Sequence, residues 1–327
     1  MYIQDYELKL QQYEFHQRKF LPKDMKLYLS KRRIRDWYEH WEGDVYISFS
    51  GGLDSTVMAH IIQEELGNKV PLVFCNTGLE YPEIVKFVNT YDDVTTIKPD
   101  KRYDKVVKED GYPLISKETA AKIRKLRHGN LSDKYRNYLM NGDERGKLGK
   151  LSNCWKFLID APFDTSEKCC DIMKKTPFKK YHKETGRYPF IGITQDEGYM
   201  RERKYNRTGC NVYDGSTIKS QPLGFWTKQD ALRYVVENGL KISSIYGDII
   251  ESNGKYILTG EPRTGCMFCA FGVHLESEPN RFQRMEISHP NQYKYCMNQL
   301  GMKEVLKYIG VPYEGNGQMT IADFLGV

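Results

Sequence analysis

The sequence predicts an α/β fold: a parallel, twisted sheet covered by helices, with a helical extension before it and a cysteine-rich segment after it. Two observations carry that prediction. Short apolar runs at Val45–Ser50, Val70–Asn76, Val94–Ile97 and Phe190–Thr194 alternate with stretches of helical periodicity. Between the first run and the first such stretch lies Ser48-Phe49-Ser50-Gly51-Gly52-Leu53-Asp54-Ser55, a glycine turn joining strand end to helix start. The chain has 327 residues and is 40% hydrophobic, enough for a substantial core.

The elements follow in order. Residues 2–20 and 24–41 read as helices broken at Pro22; the second places Leu27, Ile34, Trp37, Tyr38 and Trp41 near one stripe, to pack on the main domain. After the first strand, Ser55–Leu66 reads as a helix with Val57, Met58, Ile61 and Ile62 inward. A further helix starts near Tyr81, with Pro82 at the tolerated first position. Residues 127–165 are polar and weakly periodic, and are expected to form a mobile excursion or lid. Thr227-Lys228-Gln229-Asp230 resembles a capping box, and Gly239 stops the helix it opens. Beyond Gly260 the chain is irregular until a helical stretch near Gln292–Ile309. This divides the chain into a helical extension (1–43), a nucleotide-binding domain (44–260) and a C-terminal segment (261–327). Ligands of such sheets sit at the carboxyl ends of strands, where Ser50 and Asn76 fall.

No apolar run approaches the roughly 18 residues of a membrane span, and the first residues lack a secretory pattern. A cytoplasmic protein without a membrane partner is expected. The net charge of +6 suits a nucleotide phosphate and permits a nucleic-acid partner. Basic clusters occur at Lys31–Arg33, Lys122–Arg127, Lys174-Lys175, Lys179-Lys180 and Arg201–Arg207, and a solvated face is the ordinary reading of each.

The glycine turn is a phosphate cradle. Two glycines let backbone N–H groups approach an anion, and the helix start adds positive potential. Eight cysteines are present; in a cytoplasmic chain they serve metals or catalysis more often than disulfides. Cys169-Cys170 and Cys266-x-x-Cys269 form a metal-ligating pattern. Adjacent cysteines diverge, which suits a [4Fe–4S] cluster better than zinc, although zinc and no metal both stay open. Cys75 lies within a strand and reads as core, while Cys154, Cys210 and Cys296 are undecided.

Ser-Gly-Gly-Leu-Asp-Ser matches the signature of the ATP-pyrophosphatase (PP-loop) superfamily, with its adenine nucleotide alpha-hydrolase-like fold. The chain over residues 44–275 resembles the phosphoadenosine phosphosulfate (PAPS) reductase family in its iron–sulfur branch. Four further segments carry the likeness: Asn76-Thr77-Gly78-Leu79-Glu80-Tyr81-Pro82-Glu83, Cys169 through Phe178, Gln221 through Thr227 with Asp230, and Cys266-x-x-Cys269. The resemblance implies that Ser48, Ser50, Gly51, Gly52, Asp54, Ser55, Asn76, Thr77 and Gly78 bind an adenine nucleotide. It implies that Cys169, Cys170, Cys266 and Cys269 hold the [4Fe–4S] cluster. Two departures stand out. The reductases' C-terminal Glu-Cys-Gly-Leu-His is absent, leaving Cys296 as the last cysteine, and the phosphate loop is complete, as in enzymes that cleave ATP.

The expected activity is therefore ATP-dependent adenylyl or sulfur transfer. Asp54 would place Mg²⁺, and Lys117, Arg201 or Arg203 would neutralise phosphate charge. A sulfur donor and a nucleic-acid acceptor are among the expected partners, and a homo-oligomer is expected. The alternative is reduction of adenylyl sulfate or PAPS with a thioredoxin-like donor, with Cys296 or Cys210 as nucleophile. A second alternative is a non-enzymatic nucleotide or nucleic-acid binder, which the basic clusters and 24 tyrosines allow.

Overall fold

The computed structural model describes residues 17–194, 205–215 and 217–315. In chain order the elements are α1 (Lys23–His40), β1 (Val45–Ser48), α2 (Leu53–Leu66), β2 (Leu72–Cys75), α3 (Pro82–Val88), β3 (Val94–Ile97), α4 (Tyr103–Asp110) and β4 (Leu114–Ile115). They continue with α5 (Lys117–His128), α6 (Asp133–Asn141), α7 (Thr176–Thr185), β5 (Tyr188–Ile191), β6 (Asn211–Val212), β7 (Lys219–Ser220) and α8 (Lys228–Glu237). The last are β8 (Ile249–Ser252), β9 (Lys255–Leu258), β10 (Ala270–Phe271), α9 (Arg281–Ser288), α10 (Pro290–Lys294) and α11 (Met302–Tyr308).

The chain forms two compact units that cut across the three segments drawn from the sequence. One contains the residues up to Asn76, Tyr81–Ile97 and Phe178–Thr264; the other contains Thr77–Glu80, Lys98–Pro177 and the residues from Gly265.

The first unit is built on a six-stranded sheet of order β3-β2-β1-β5-β7-β6, parallel except for β6. Parallel strands are covered on both faces, which is why β1 and β2 read as nearly unbroken apolar runs. Ile47 lies between Leu72 and Phe190 in register, and Val45, Ile47, Val73 and Phe190 are fully buried. The first two strands stop at Ser48 and Cys75, shorter than the apolar runs, because the chain turns into its loops there. Cys75 is buried in β2, as its sequence setting suggested.

Helix α1 packs by Lys26, Ser30, Ile34 and Trp37; of the rest of the expected stripe, Trp41 stacks on Tyr188 just past the helix end, while Leu27 and Tyr38 are half-buried. Its contacts are specific. The Trp226 indole donates to Ser30 Oγ at 2.9 Å, and Ser30 Oγ donates to the Pro222 carbonyl at 2.8 Å. Lys26, almost wholly buried, pairs with Asp230 at 2.5 Å. Thr227 and Asp230 form the expected capping box of α8.

The second unit carries the parallel pair β4–β10, with Leu114 beside Ala270 and Ile115 beside Phe271. The expected excursion at 127–165 is instead ordered. Ser132 caps α6, and Asp143 accepts from the backbone N–H groups of Lys147 and Leu148 at 2.8 and 3.1 Å. Gly142, Gly146 and Gly149, all at positive φ, shape the loop between. A 3₁₀ segment follows at Asn153–Asp160. This stretch lacked periodicity because α6 buries only Leu139. The C-terminal helical stretch is two helices, α10 and α11, separated at Gly301 with φ +69°.

Candidate functional site

In the first unit the loop after β1 folds back on itself. Gly51 sits at φ +69°, a conformation that disfavours any Cβ. The Ser50 N–H donates to Ser55 Oγ at 3.2 Å, and Ser55 Oγ donates to the Gly52 carbonyl at 2.9 Å. Gly52 is the N-cap residue of α2, so the first N–H groups of a 14-residue helix point into the loop. The sequence placed the helix start at Ser55; it begins at Leu53, inside the motif.

A cavity of about 260 Å³ lies on this loop. Ser50, Gly52, Leu53, Asp54 and Ser55 line one side, and Gly192 and Thr194 come from the chain after β5. The strand order reverses direction of growth between β1 and β5, which is where ligands of open α/β sheets bind. A Cβ on Gly192 would lie 2.9 Å from Ser55 Cα and 3.0 Å from its nitrogen, so only glycine admits this approach. Thr194 Oγ1 donates to Asp54 Oδ2 at 3.3 Å, turning the carboxylate towards the cavity rim.

The remaining wall was not read from the sequence. The Leu53 N–H donates to the Tyr246 hydroxyl at 2.9 Å, and that hydroxyl lies 2.7 Å from Thr264 Oγ1. Burial pushes the Tyr246 phenol up, so it stays a neutral hydrogen-bonding group. Lys228 and Arg263 supply positive charge, with Lys228 Nζ donating to the Pro262 carbonyl at 2.7 Å. The cavity therefore combines a helix N-terminus, hydroxyl donors, two cations and one carboxylate, a donor set that accepts a polyphosphate and a hard cation.

Other expected residues lie elsewhere. Ser48 is within β1, paired with Val73 and Ile191, and does not line the cavity. Asn76 follows β2, and its N–H donates to the Ile97 carbonyl at 2.9 Å. In the second unit, the Thr77 N–H and hydroxyl donate to Glu80 at 2.9 and 2.8 Å, and Gly78 is exposed at φ +74°. Lys117, expected at the phosphates, stands at the start of α5 in the second unit, near Cys269, whose thiol is pushed up by burial against a small opposing effect of the Lys117 charge. Arg201 and Arg203 lie outside the described residues.

All four expected ligand cysteines belong to the second unit. Cys169 and Cys170 are helical and run directly into a π-helical turn, Asp171–Lys175. Cys266 and Cys269 share a tight turn, with the Cys269 N–H 3.1 Å from the Cys266 carbonyl. Burial, then Cys266, Cys170 and Cys269, push the Cys169 thiol up, so these sulfurs lie within electrostatic reach of one another. Burial also pushes Cys266 up to about 12 despite Lys174. Burial opposes the charge of Lys174, but Cys266 and Glu80 outweigh it and raise its pKa. Phe271 N–H donates to Cys269, and Arg281 adds positive charge. Among the described residues no three His, Cys, Asp or Glu side chains converge on a point for one metal ion. Four mutually repelling sulfurs beside two cations and an N–H donor fit a thiolate-ligated, negatively charged cluster by donor chemistry.

Cys296 does not suit a nucleophile. It is wholly buried, and burial pushes its thiol up. Cys210 is also buried, with Sγ 3.1 Å from the Gln221 carbonyl. Cys154 is exposed, 3.0 Å from Ser152 Oγ.

Comparison with known proteins places these features in a family. A curated protein of Methanocaldococcus jannaschii, itself uncharacterised, is 24% identical over 239 residues, which is 72% of this chain and 38% of that protein. The chain thus spans well under half the length of that relative. A PAPS reductase from Candida auris in complex with phosphate superposes with TM-score 0.39 and 16% identity, over 76% of this chain and 98% of that one. The U34-tRNA thiolase NcsA from Methanococcus maripaludis, with its [4Fe-4S] cluster, gives TM-score 0.37 and 14% identity over 93% and 88%. Neither superposition is close enough to transfer a residue. The phosphoadenosine phosphosulfate reductase domain profile matches residues 44–128 and 142–261, spanning the phosphate loop and the cavity wall except Pro262, Arg263 and Thr264. With more than half of its residues inside that profile, the chain belongs to the phosphoadenosine phosphosulfate reductase domain family.

Proposed function

We propose that the protein binds ATP in the Ser50–Ser55 cradle and transfers its adenylyl group to an acceptor, releasing pyrophosphate in preparation for sulfur insertion. The observation that carries this reading is the intact loop: both glycines, both serines and Asp54 in place on a helix N-terminus. The Ser50–Ser55 backbone and hydroxyls would hold the β- and γ-phosphates, and Lys228 and Arg263 would neutralise charge developing on the leaving pyrophosphate. Asp54 would orient Mg²⁺, a hard cation that prefers carboxylate and phosphate oxygens. The acceptor oxygen bonds to the α-phosphorus while the bond to the bridging β-phosphate oxygen breaks. A sulfide donor then attacks the activated acceptor carbon, and the carbon–oxygen bond to the leaving AMP breaks.

Cys169, Cys170, Cys266 and Cys269 would hold a [4Fe–4S] cluster. When bound it supplies a compact redox-active charge centre; with four cysteine ligands, no iron is left open to an external sulfur.

The test is anaerobic purification with iron and sulfide counts and an absorbance spectrum, followed by incubation with α-labelled ATP, Mg²⁺ and candidate acceptors. Acceptor-dependent AMP and pyrophosphate are expected, abolished in Asp54→Asn. Absence of turnover with every acceptor would sink this reading. A second reading, reduction of adenylyl sulfate or PAPS by a thioredoxin-like donor, is favoured by family membership. It needs a reactive thiol, which neither Cys296 nor Cys210 resembles. Sulfite release dependent on thioredoxin and lost in Cys296→Ser would establish it.

A further inference from the structure

We propose that α5, α6 and the loop after α6 form a binding face for single-stranded polynucleotide. Four observations carry it. The first is charge. Residues 117–156 hold eleven Lys and Arg against four Asp and Glu, a net of +7, whereas the rest of the chain holds 38 against 39. Lys122, Arg124 and Arg127 are paired with Glu118, Glu167 and Asp164. Lys134, Arg145, Lys147 and Lys150 are exposed and form no ion pair among the described residues. The Asp143 carboxylate is turned to the backbone N–H groups of Lys147 and Leu148 and leaves these cations unneutralised.

The second is an exposed aromatic pair. Tyr135 and Tyr138 are each 37% exposed and stack with centroids 6.2 Å apart and planes 18° from parallel. Lys125 Nζ lies 5.6 Å from the Tyr135 ring centre and 3.3 Å from its hydroxyl. A Cβ on Gly149 would fall 2.0 Å from the Tyr138 ring, so glycine backbone seats that ring and fixes its plane. The pair is held in place before any ligand arrives, which lowers the entropic cost of binding.

The third is the thin anchorage of α6, which buries Leu139 alone while Ser132–Tyr138 are all exposed. Helices ordinarily persist by burying an apolar stripe, and this one instead presents tyrosines and cations. The fourth is that the family profile is interrupted at residues 129–141, which are α6 and its approach. The helix is an addition to what the family shares.

Flat aromatic rings bordered by cations match unstacked bases on a phosphate backbone, and match a duplex or an acidic peptide poorly. The inference does not depend on adenylyl transfer, because binding needs no turnover.

The test is fluorescence anisotropy of the full chain with labelled oligo(U) and oligo(dT) of about 20 nucleotides and with the matching duplex, across a salt series. Single strands are expected to bind in preference to duplex, and preference between the two oligomers identifies RNA or DNA as the source. Tyr135→Ala is expected to weaken binding about tenfold and Tyr135→Phe to leave it near the wild-type value. Replacing Lys134, Arg145 and Lys147 by Gln together should reduce the slope of log K against log salt by about 2. These positions are exposed, and unchanged circular dichroism checks the fold. No binding at low salt, equal binding of duplex, full displacement by polyglutamate, or a silent Tyr135→Ala would each overturn the inference.

Discussion

Replacing Gly51 by alanine perturbs the phosphate cradle at its tightest point. The residue sits at φ +69°, where an L side chain costs about 1–2 kcal/mol. The new Cβ would also fall 2.7 Å from Val88 Cγ2 and 3.1 Å from Ile84 Cγ2, both on the buried face of α3. Neither neighbour is the free end of a long side chain, so helix and loop must part, at about 1–3 kcal/mol for an overpacked core. The two effects together predict a loss of about 2–5 kcal/mol. Gly239→Ala is the control: φ is +59° at the left-handed end of α8 and nothing lies within 4 Å of its Cβ, so only the torsional part should appear. Urea denaturation followed by tryptophan fluorescence suits the measurement, because Trp37 and Trp226 are wholly buried in the same unit. If Gly51→Ala cost no more than Gly239→Ala, the packing of the loop against α3 would be misjudged.

Three further outcomes are expected. Lys228 lines the cavity, so if the proposed reading holds, Lys228→Gln should weaken ATP and pyrophosphate binding by about tenfold and AMP binding by less, as titration calorimetry would show. The thiols of Cys169, Cys266 and Cys269 are all pushed up in the folded state, chiefly by burial. Metal-free protein should therefore lose stability as pH rises above about 8.5, where unfolded thiols ionise and folded ones do not; a melting temperature flat from neutral to alkaline pH would contradict this. Glu167 is partly buried, which opposes its charge, but Arg124 at 2.6 Å holds the carboxyl below its usual range. A depressed carboxylate stabilises above its unfolded pKa of about 4.3 and loses that contribution as pH falls through the folded value. Glu167→Gln should thus be less stable than the parent at neutral pH by about 1 kcal/mol and equal to it near pH 3, as paired denaturation curves would reveal.

What could be read from the sequence was local. Ser50–Ser55, the alternation around it and the capping box at Thr227 are each written in contiguous residues, and each stands in the structure where it was expected. The far wall of the cavity was not legible. Tyr246 and Thr264 meet Leu53 and Gly52 only after some two hundred residues of chain have returned, and no local pattern marks a tyrosine that will cap a loop. Gly192 looked like the middle of a strand, whereas its role is to let Ser55 approach. Nothing local marks Lys26 for burial, since its counter-charge, Asp230, lies 204 positions away. The segment at 127–165 failed for the opposite reason. Its order comes from backbone hydrogen bonds to Asp143 and from glycine turns, which leave no apolar period to find.

The Lys26–Asp230 pair has a consequence for how the protein is made. Asp230 caps α8, whose first residue is the Lys228 of the phosphate cavity, and Lys26 lies 204 residues before Asp230. During synthesis a buried lysine must wait for about two hundred residues before its counter-charge emerges, and the phosphate loop waits as long for Tyr246. Closing a loop of that length costs entropy that no local contact repays, so the cavity should be among the last features to assemble and slow to regain after unfolding. Nucleotide binding would then appear on the ribosome only after Tyr246 and Thr264 have emerged.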